Sequence, residues 1–212
     1  LILSFGILII RSNRLKGKIE MDSIVSRESA FLFNNLFFLI ATATVFLGTL
    51  YPLLVDTLYG TKVTVGAPYY NKVFLPIVLV ILILMGIAPM IAWRKASNEN
   101  IRKNFLIPAV VALAGAVISA ILGIRQLYPL AAAAIVCFVA ATIVIDLYKN
   151  SSYWASHSGT NLLQGLYKAW HHNQRRYGGV VTHVGVLVMI LGIIVSSAYK
   201  LEKTVILKPG DE

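Results

Sequence analysis

The chain has 212 residues, of which 58% are apolar and only 13% are charged, whereas an average soluble domain is roughly 25% charged. This composition excludes a soluble globular domain and favours a membrane protein. The net charge of +10 does not indicate nucleic-acid binding, because no basic stripe lies on a soluble module.

Five apolar stretches each come close to the ~20 residues that a membrane-spanning helix needs. They are residues 31–54, 74–93, 105–124, 128–148 and 179–199. A sixth apolar run, residues 1–10, meets Arg11 after about half the crossing length. We interpret this run as the end of a helix whose beginning is missing. The sequence therefore predicts an all-α, polytopic transmembrane helical bundle with five complete spans and one partial N-terminal span.

The distribution of Lys and Arg predicts the orientation of this bundle. Segments 11–30, 94–104 and 149–178 carry five, four and four basic residues. The alternating segments 55–73, 125–127 and 200–212 carry two, one and three. By the positive-inside rule the first set is cytoplasmic, and the net positive charge reflects topology and contact with anionic lipid headgroups.

The longer connections have patterns of their own. Gly60, Gly66 and Pro68 predict a short outer strand or turn, with Tyr69 and Tyr70 at the interface, either as anchors or in contact with a partner. Apolar positions in 161–176 predict an amphipathic helix that either lies on the inner leaflet or caps the bundle. We expect residues 1–199 to form the membrane domain and residues 200–212 to begin an outer-side domain that the chain truncates.

The last span divides into three faces at the 100° step of a helix. One face carries mostly small residues and is expected to pack against another helix: Gly178, Thr182, Gly185, Met189, Gly192 and Ser196. A second face is aliphatic and suits lipid. The third face consists of Gly179, His183, Val186 and Ile190. An unpartnered imidazole in hydrocarbon would cost a few kcal/mol, so a partner for His183 is expected.

Three partners for His183 are consistent with the sequence alone. The histidine could hydrogen-bond a Ser, a Thr or a carbonyl, or it could relay protons, although Asp146 is the single acid near that depth. It could also ligate haem iron, with Arg175 and Arg176 pairing with the propionates and Gly179 leaving room for a broad group. A zinc site at His157, His171 and His172 is disfavoured, because the adjacent pair diverges by about 100° on a helix. Cys137 has no partner for a disulfide and is expected to pack as a small apolar residue.

Three segments carry a resemblance to a known family: SRESAFLFNNLFFLIATATVFLGTLYPLL, VTVGAPYYNKVFLPI and RRYGGVVTHVGVLVMILGI. They resemble the second half of the cytochrome c-type biogenesis protein CcmF and the related haem lyase NrfE. The resemblance implies a multi-pass protein of the bacterial inner membrane that attaches haem to apocytochrome c. It also implies that His183 is one of two axial ligands of a haem b. The implied partners are a haem chaperone, apocytochrome c, other cytochrome c maturation subunits and a quinol that supplies an electron.

The sequence also departs from that family. The tryptophan-rich segment that holds incoming haem is absent, since Trp93, Trp154 and Trp170 stand apart. The second ligand of the haem b is expected upstream of Leu1, so the chain would be an incomplete part of a haem lyase, either a fragment or one piece of a split protein. A solute or ion transporter core is the alternative function, and a structural membrane anchor is a third. A transporter predicts broken helices with intramembrane acids.

Overall fold

The structure is a computed structural model that describes residues 6, 7, 9–12, 26–90 and 98–198. The described residues from 26 onward form six helices, and residues 6, 7 and 9–12 are helical as well. The six are α1 (Arg27–Tyr59), α2 (Ala67–Ile87), α3 (Asn98–Ile121), α4 (Leu127–Ser158), α5 (Leu162–His172) and α6 (Gln174–Ala198). All of them except α5 are long and apolar enough to cross a membrane, which confirms the predicted all-α bundle of five spans.

Local sequence explains where α1 begins and ends. Ser26 caps its first turn, because the Ser26 hydroxyl accepts a hydrogen bond from the Ser29 backbone amide at 3.1 Å. Gly60 ends the helix in a left-handed conformation, with φ of 62°, which a glycine adopts without steric cost. The helix therefore begins before the apolar run at residue 31 and continues past its end at residue 54.

Helix α4 is the centre of the bundle. It packs against α2, α3, α5 and α6, while α1 packs against α2. Val139 and Thr142 of α4 are among the most completely buried side chains, and Leu187 and Ile194 of α6 complete the same core. Cys137 lies half-buried on α4 opposite Gly115 of α3, where it packs as a small apolar residue, as expected.

The connection between α1 and α2 differs from the predicted strand or turn. Residues 67–69 are already helical, and Tyr70–Phe74 form a π-helical turn at the beginning of α2. Tyr69 and Tyr70 are half-buried against α1, where an added Cβ at Gly48 would lie 2.9 Å from the Tyr69 ring and 2.9 Å from the Tyr70 hydroxyl oxygen. The Tyr69 hydroxyl also donates to the Thr44 carbonyl at 3.1 Å. The strand prediction was wrong because residues 60–66 pair with no strand among the described residues, and the next helix begins at Ala67 with Pro68 in its first turn.

The amphipathic helix in the 161–176 segment is confirmed as α5. Its buried face packs on α4 at Gly165, where an added Cβ would meet the Ser151 carbonyl oxygen and the Ala155 backbone nitrogen. Helix α5 therefore caps the extension of α4 beyond residue 148. The expected beginning of an outer domain, residues 200–212, lies outside the described residues.

The small-residue face of α6 does not pack as predicted. Gly178, Gly185 and Gly192 are exposed, and an added Cβ at each would have no described atom within 4 Å. Leu187 and Ile194 are buried instead. The prediction was wrong for the described part of the chain, because close approach of two helices requires a facing helix, and α4 meets α6 along the larger side chains.

Candidate functional site

A cavity of about 1260 Å³ lies between α1, α2, α4 and α6. Helices α1 and α2 contribute mostly apolar walls, while α4 and α6 contribute polar side chains. This volume exceeds the roughly 300–1,000 Å³ of a usual small-molecule pocket. The cavity therefore has room for a broad, largely apolar ligand.

His183 lines this cavity from α6. The sequence predicted one face of α6 that meets neither lipid nor a neighbouring helix. All four residues of that face line the cavity: Gly179, His183, Val186 and Ile190. His183 is half-buried, and its ring forms no hydrogen bond or ion pair with any described residue. Among the described residues, no Ser, Thr or carbonyl satisfies this imidazole.

The hydroxyl groups around the cavity are already occupied by their own helices. Thr42 donates to the Phe38 carbonyl at 2.8 Å, Thr142 to Val139 at 2.8 Å, and Thr182 to Gly178 at 3.1 Å. Each hydroxyl proton is thus committed to a backbone carbonyl, so none of the three hydroxyls is free to donate to a ligand. The imidazole of His183 stands out on this wall as a nitrogen with a lone pair and no described partner.

Arg176 has a partner that the sequence reasoning did not assign. Its Nη2 donates to both carboxylate oxygens of Asp146, at 2.7 and 2.8 Å, and its Nη1 donates to Asn150 Oδ1 at 3.0 Å. Asp146 and Asn150 lie one turn apart on α4, so both side chains reach the same guanidinium. The ion pair holds the first turn of α6 against α4. It also engages Asp146, the acid on which a proton relay would depend.

Arg175 and Asn34 are the remaining polar residues at this end of the cavity. Arg175 lies on the first turn of α6 and Asn34 near the beginning of α1. Neither side chain has a hydrogen bond or ion pair with another described residue. Sequence reasoning named Arg175 and missed Asn34, whose position on the cavity wall depends on how α1 packs against α2.

The other histidines lie outside the cavity. The His157 ring packs at a tilt against Tyr153, the His171 ring against Tyr167 and the His172 ring against Trp154, with ring centroids 4.2–4.8 Å apart. Among the described residues no three His, Cys, Asp or Glu side chains come together as a possible metal site. Each histidine therefore packs on its own aromatic neighbour.

The five described helices that can span a membrane, with α4 at their centre, make the chain a multi-pass helical membrane protein. No family model matches it. It is 30% identical over 211 residues to the cytochrome c-type biogenesis protein CycK of Rhizobium meliloti, a match that covers 98% of this chain and 30% of CycK. It is 29% identical over 207 residues to CcmF of Pseudomonas fluorescens, covering 96% of this chain and 30% of CcmF.

A solved structure agrees with these sequence matches. The structure of a cytochrome c haem lyase CcmF superposes with a TM-score of 0.64 at 31% sequence identity, covering 84% of this chain and 26% of that protein. NrfE of Haemophilus influenzae is 29% identical, over 98% of this chain and 30% of NrfE. The predicted resemblance is confirmed: over nearly its whole length the chain is similar to CycK, CcmF and NrfE, which are cytochrome c-type biogenesis proteins. It spans about three tenths of the length of the curated relatives it matches.

Proposed function

We propose that the chain is part of a haem lyase of cytochrome c maturation in the bacterial inner membrane, and that His183 is an axial ligand of a haem b in the cavity. The supporting observation is a half-buried imidazole with no described partner, facing a cavity of about 1260 Å³. The matched proteins are named for cytochrome c biogenesis, and one is named a haem lyase. The chain by itself is an incomplete enzyme.

The walls of the cavity suit the macrocycle of a haem. Ligation of iron requires a neutral imidazole held on a rigid element, and α6 provides this because its core face is packed on α4. Gly179 lies one turn before His183, and an added Cβ there would have no described atom within 4 Å. The glycine therefore keeps the wall beside the imidazole open for a flat group.

The polar end of the cavity suits the propionates. Arg175 precedes His183 by two helical turns, or about 12 Å along α6, so a haem whose plane follows the helix would direct its propionates towards this end. The Arg175 guanidinium and the Asn34 amide would then hold the carboxylates by hydrogen bonds. Arg176 would have a different role. Its ion pair with Asp146 would fix the position of α6 along α4, and thereby the position of His183.

When bound, a haem b supplies one-electron chemistry, for which the family resemblance implies quinol as the donor. The residues of this chain bind and orient the group and exclude water from it, because the α1 and α2 walls are apolar. The haem chaperone, apocytochrome c and the other maturation subunits are the proposed partners. A transporter is less well supported, because the acid that lines the cavity is paired with Arg176.

The test compares His183→Ala with His171→Ala in the assembled protein. His171 is exposed on α5, so its loss controls for removing an imidazole. We expect His183→Ala to lose the low-spin b-type spectrum while membrane insertion persists, and His171→Ala to keep it. His183→Gly with added imidazole should partly restore the spectrum, because the cavity admits the small ligand. Unchanged haem content and spectrum in well-folded His183→Ala protein would show that His183 is not a ligand.

A second variant separates the propionate residues from the iron ligand. Arg175→Ala should leave the spectrum in place and shift the haem potential or loosen its retention, because a propionate contact does not touch the iron. Lys168→Ala is the matched control, since Lys168 is an exposed cation on α5 outside the cavity. Equal behaviour of the two variants would remove Arg175 from the site.

A further inference from the structure

Helix α5 has two apolar faces, of which α4 covers one. Gly165 and Ala169 lie on the covered face and are buried. Leu163, Tyr167 and Trp170 lie on the other face and remain 81%, 65% and 42% exposed. They are spaced i, i+4 and i+7, so they form one continuous stripe along the helix. The described residues leave this stripe available to a further partner.

The position of α5 places this stripe at the membrane surface. Helix α4 has 32 residues and a length of about 48 Å, whereas the hydrocarbon core is about 30 Å thick. Its last turns therefore extend beyond the core even when the helix is tilted. Three residues connect α4 to α5, and Asn173 alone connects α5 to α6. Helix α5 therefore stays beside the ends of both spans.

Helix α5 also stays close to the last turns of α4. Gly165 lies against Ser151 and Ala155 of α4. The His172 ring lies 4.8 Å from the Trp154 ring, on the same turn of α4. Both contacts keep α5 beside the part of α4 that extends beyond the hydrocarbon core.

The charge of this region identifies the partner. Residues 149–178 contain no Asp or Glu, and their four cations are Lys149, Lys168, Arg175 and Arg176. Among these cations, Arg176 is the one that forms an ion pair with a described acid. A positive segment attached to spanning helices attracts anionic lipid, and tyrosine and tryptophan favour the headgroup boundary.

We propose that α5 is an interfacial helix that inserts Leu163, Tyr167 and Trp170 among anionic phospholipids of the leaflet at which α4 ends. The opposite face caps α4, so the helix performs both roles that its amphipathic pattern left open. This inference does not depend on haem binding.

The test labels position 163 and its matched control, position 168, in the assembled protein in lipid nanodiscs. The two variants are Leu163→Cys and Lys168→Cys, each combined with Cys137→Ser and each carrying one environment-sensitive probe. The two labelled positions lie about 140° apart around α5. Both side chains are exposed, so neither label disturbs the core. A lipid-borne quencher should act several-fold more strongly at 163, and a water-soluble quencher more strongly at 168.

The lipid class is tested by the same probes. The quencher carried on phosphatidylglycerol should act more strongly at 163 than the quencher carried on phosphatidylcholine, and the preference should disappear near 1 M salt, where the Debye length is about 3 Å. Equal access of water to both positions would overturn the interfacial placement. Lipid contact without a preference for phosphatidylglycerol would overturn the anionic partner. Protection of 163 from both quenchers would show that protein covers this face instead.

Discussion

The close approach of α5 and α4 at Gly165 makes the substitution Gly165→Ala a direct test of the packing. The added Cβ would meet the Ser151 carbonyl oxygen and lie 2.9 Å from the Ala155 nitrogen, and both of these are backbone atoms that cannot rotate away. Overpacking of this kind costs about 1–3 kcal/mol, and contact with rigid backbone places the cost at the upper end. In a helix interior the alanine also gains about 1 kcal/mol over glycine.

The net cost at Gly165 is therefore about 2 kcal/mol, which corresponds to an increase of about 30-fold in the local opening of α5. Hydrogen exchange of the α5 amides measures this opening in the assembled protein. Gly185→Ala on α6 is the matched control, because an added Cβ there has no described atom within 4 Å. That variant should gain about 1 kcal/mol from helix propensity alone. If Gly165→Ala slowed exchange as Gly185→Ala should, the contact between the two backbones would be refuted.

Three further predictions concern other contacts. Gly48→Ala should lower the thermal midpoint by the equivalent of about 1 kcal/mol, because the Tyr69 and Tyr70 side chains must shift at a cost of about 1–3 kcal/mol while alanine gains about 1 kcal/mol over glycine in the helix; a raised midpoint would contradict that packing. Asp146→Asn should lower the free energy of unfolding by no more than about 1 kcal/mol, since the Arg176 side chain is 43% exposed and solvent screens the pair. A double-mutant cycle with Arg176→Gln should show coupling between the two residues, and strict additivity would argue against the ion pair. Cysteine labels at positions 61 and 171 should react from opposite sides of the membrane, and labelling of position 61 only from the cytoplasmic side would overturn the topology.

The amino-acid sequence by itself determined the class of protein, the number of spans and the face of α6 that carries His183. Spans follow from sequence because the thickness of the bilayer sets the length of each apolar run. The face follows because the 100° step of a helix places Gly179 and His183 together whatever the surroundings, and both residues line the cavity. Three segments of the sequence also predicted the similarity to CcmF and NrfE that the comparisons confirm.

Only the tertiary structure decided which neighbour each face meets. The partner of Arg176 is 30 residues away on α4, and neither the charge pattern nor the periodicity of α6 identifies it. The glycines of α6 gave a strong signal for close packing, yet the close approach occurs at Gly165 of α5, against the α4 backbone. Periodicity divides a helix into faces from local geometry alone, whereas the choice of neighbour depends on how helices distant in the chain share the available packing surface.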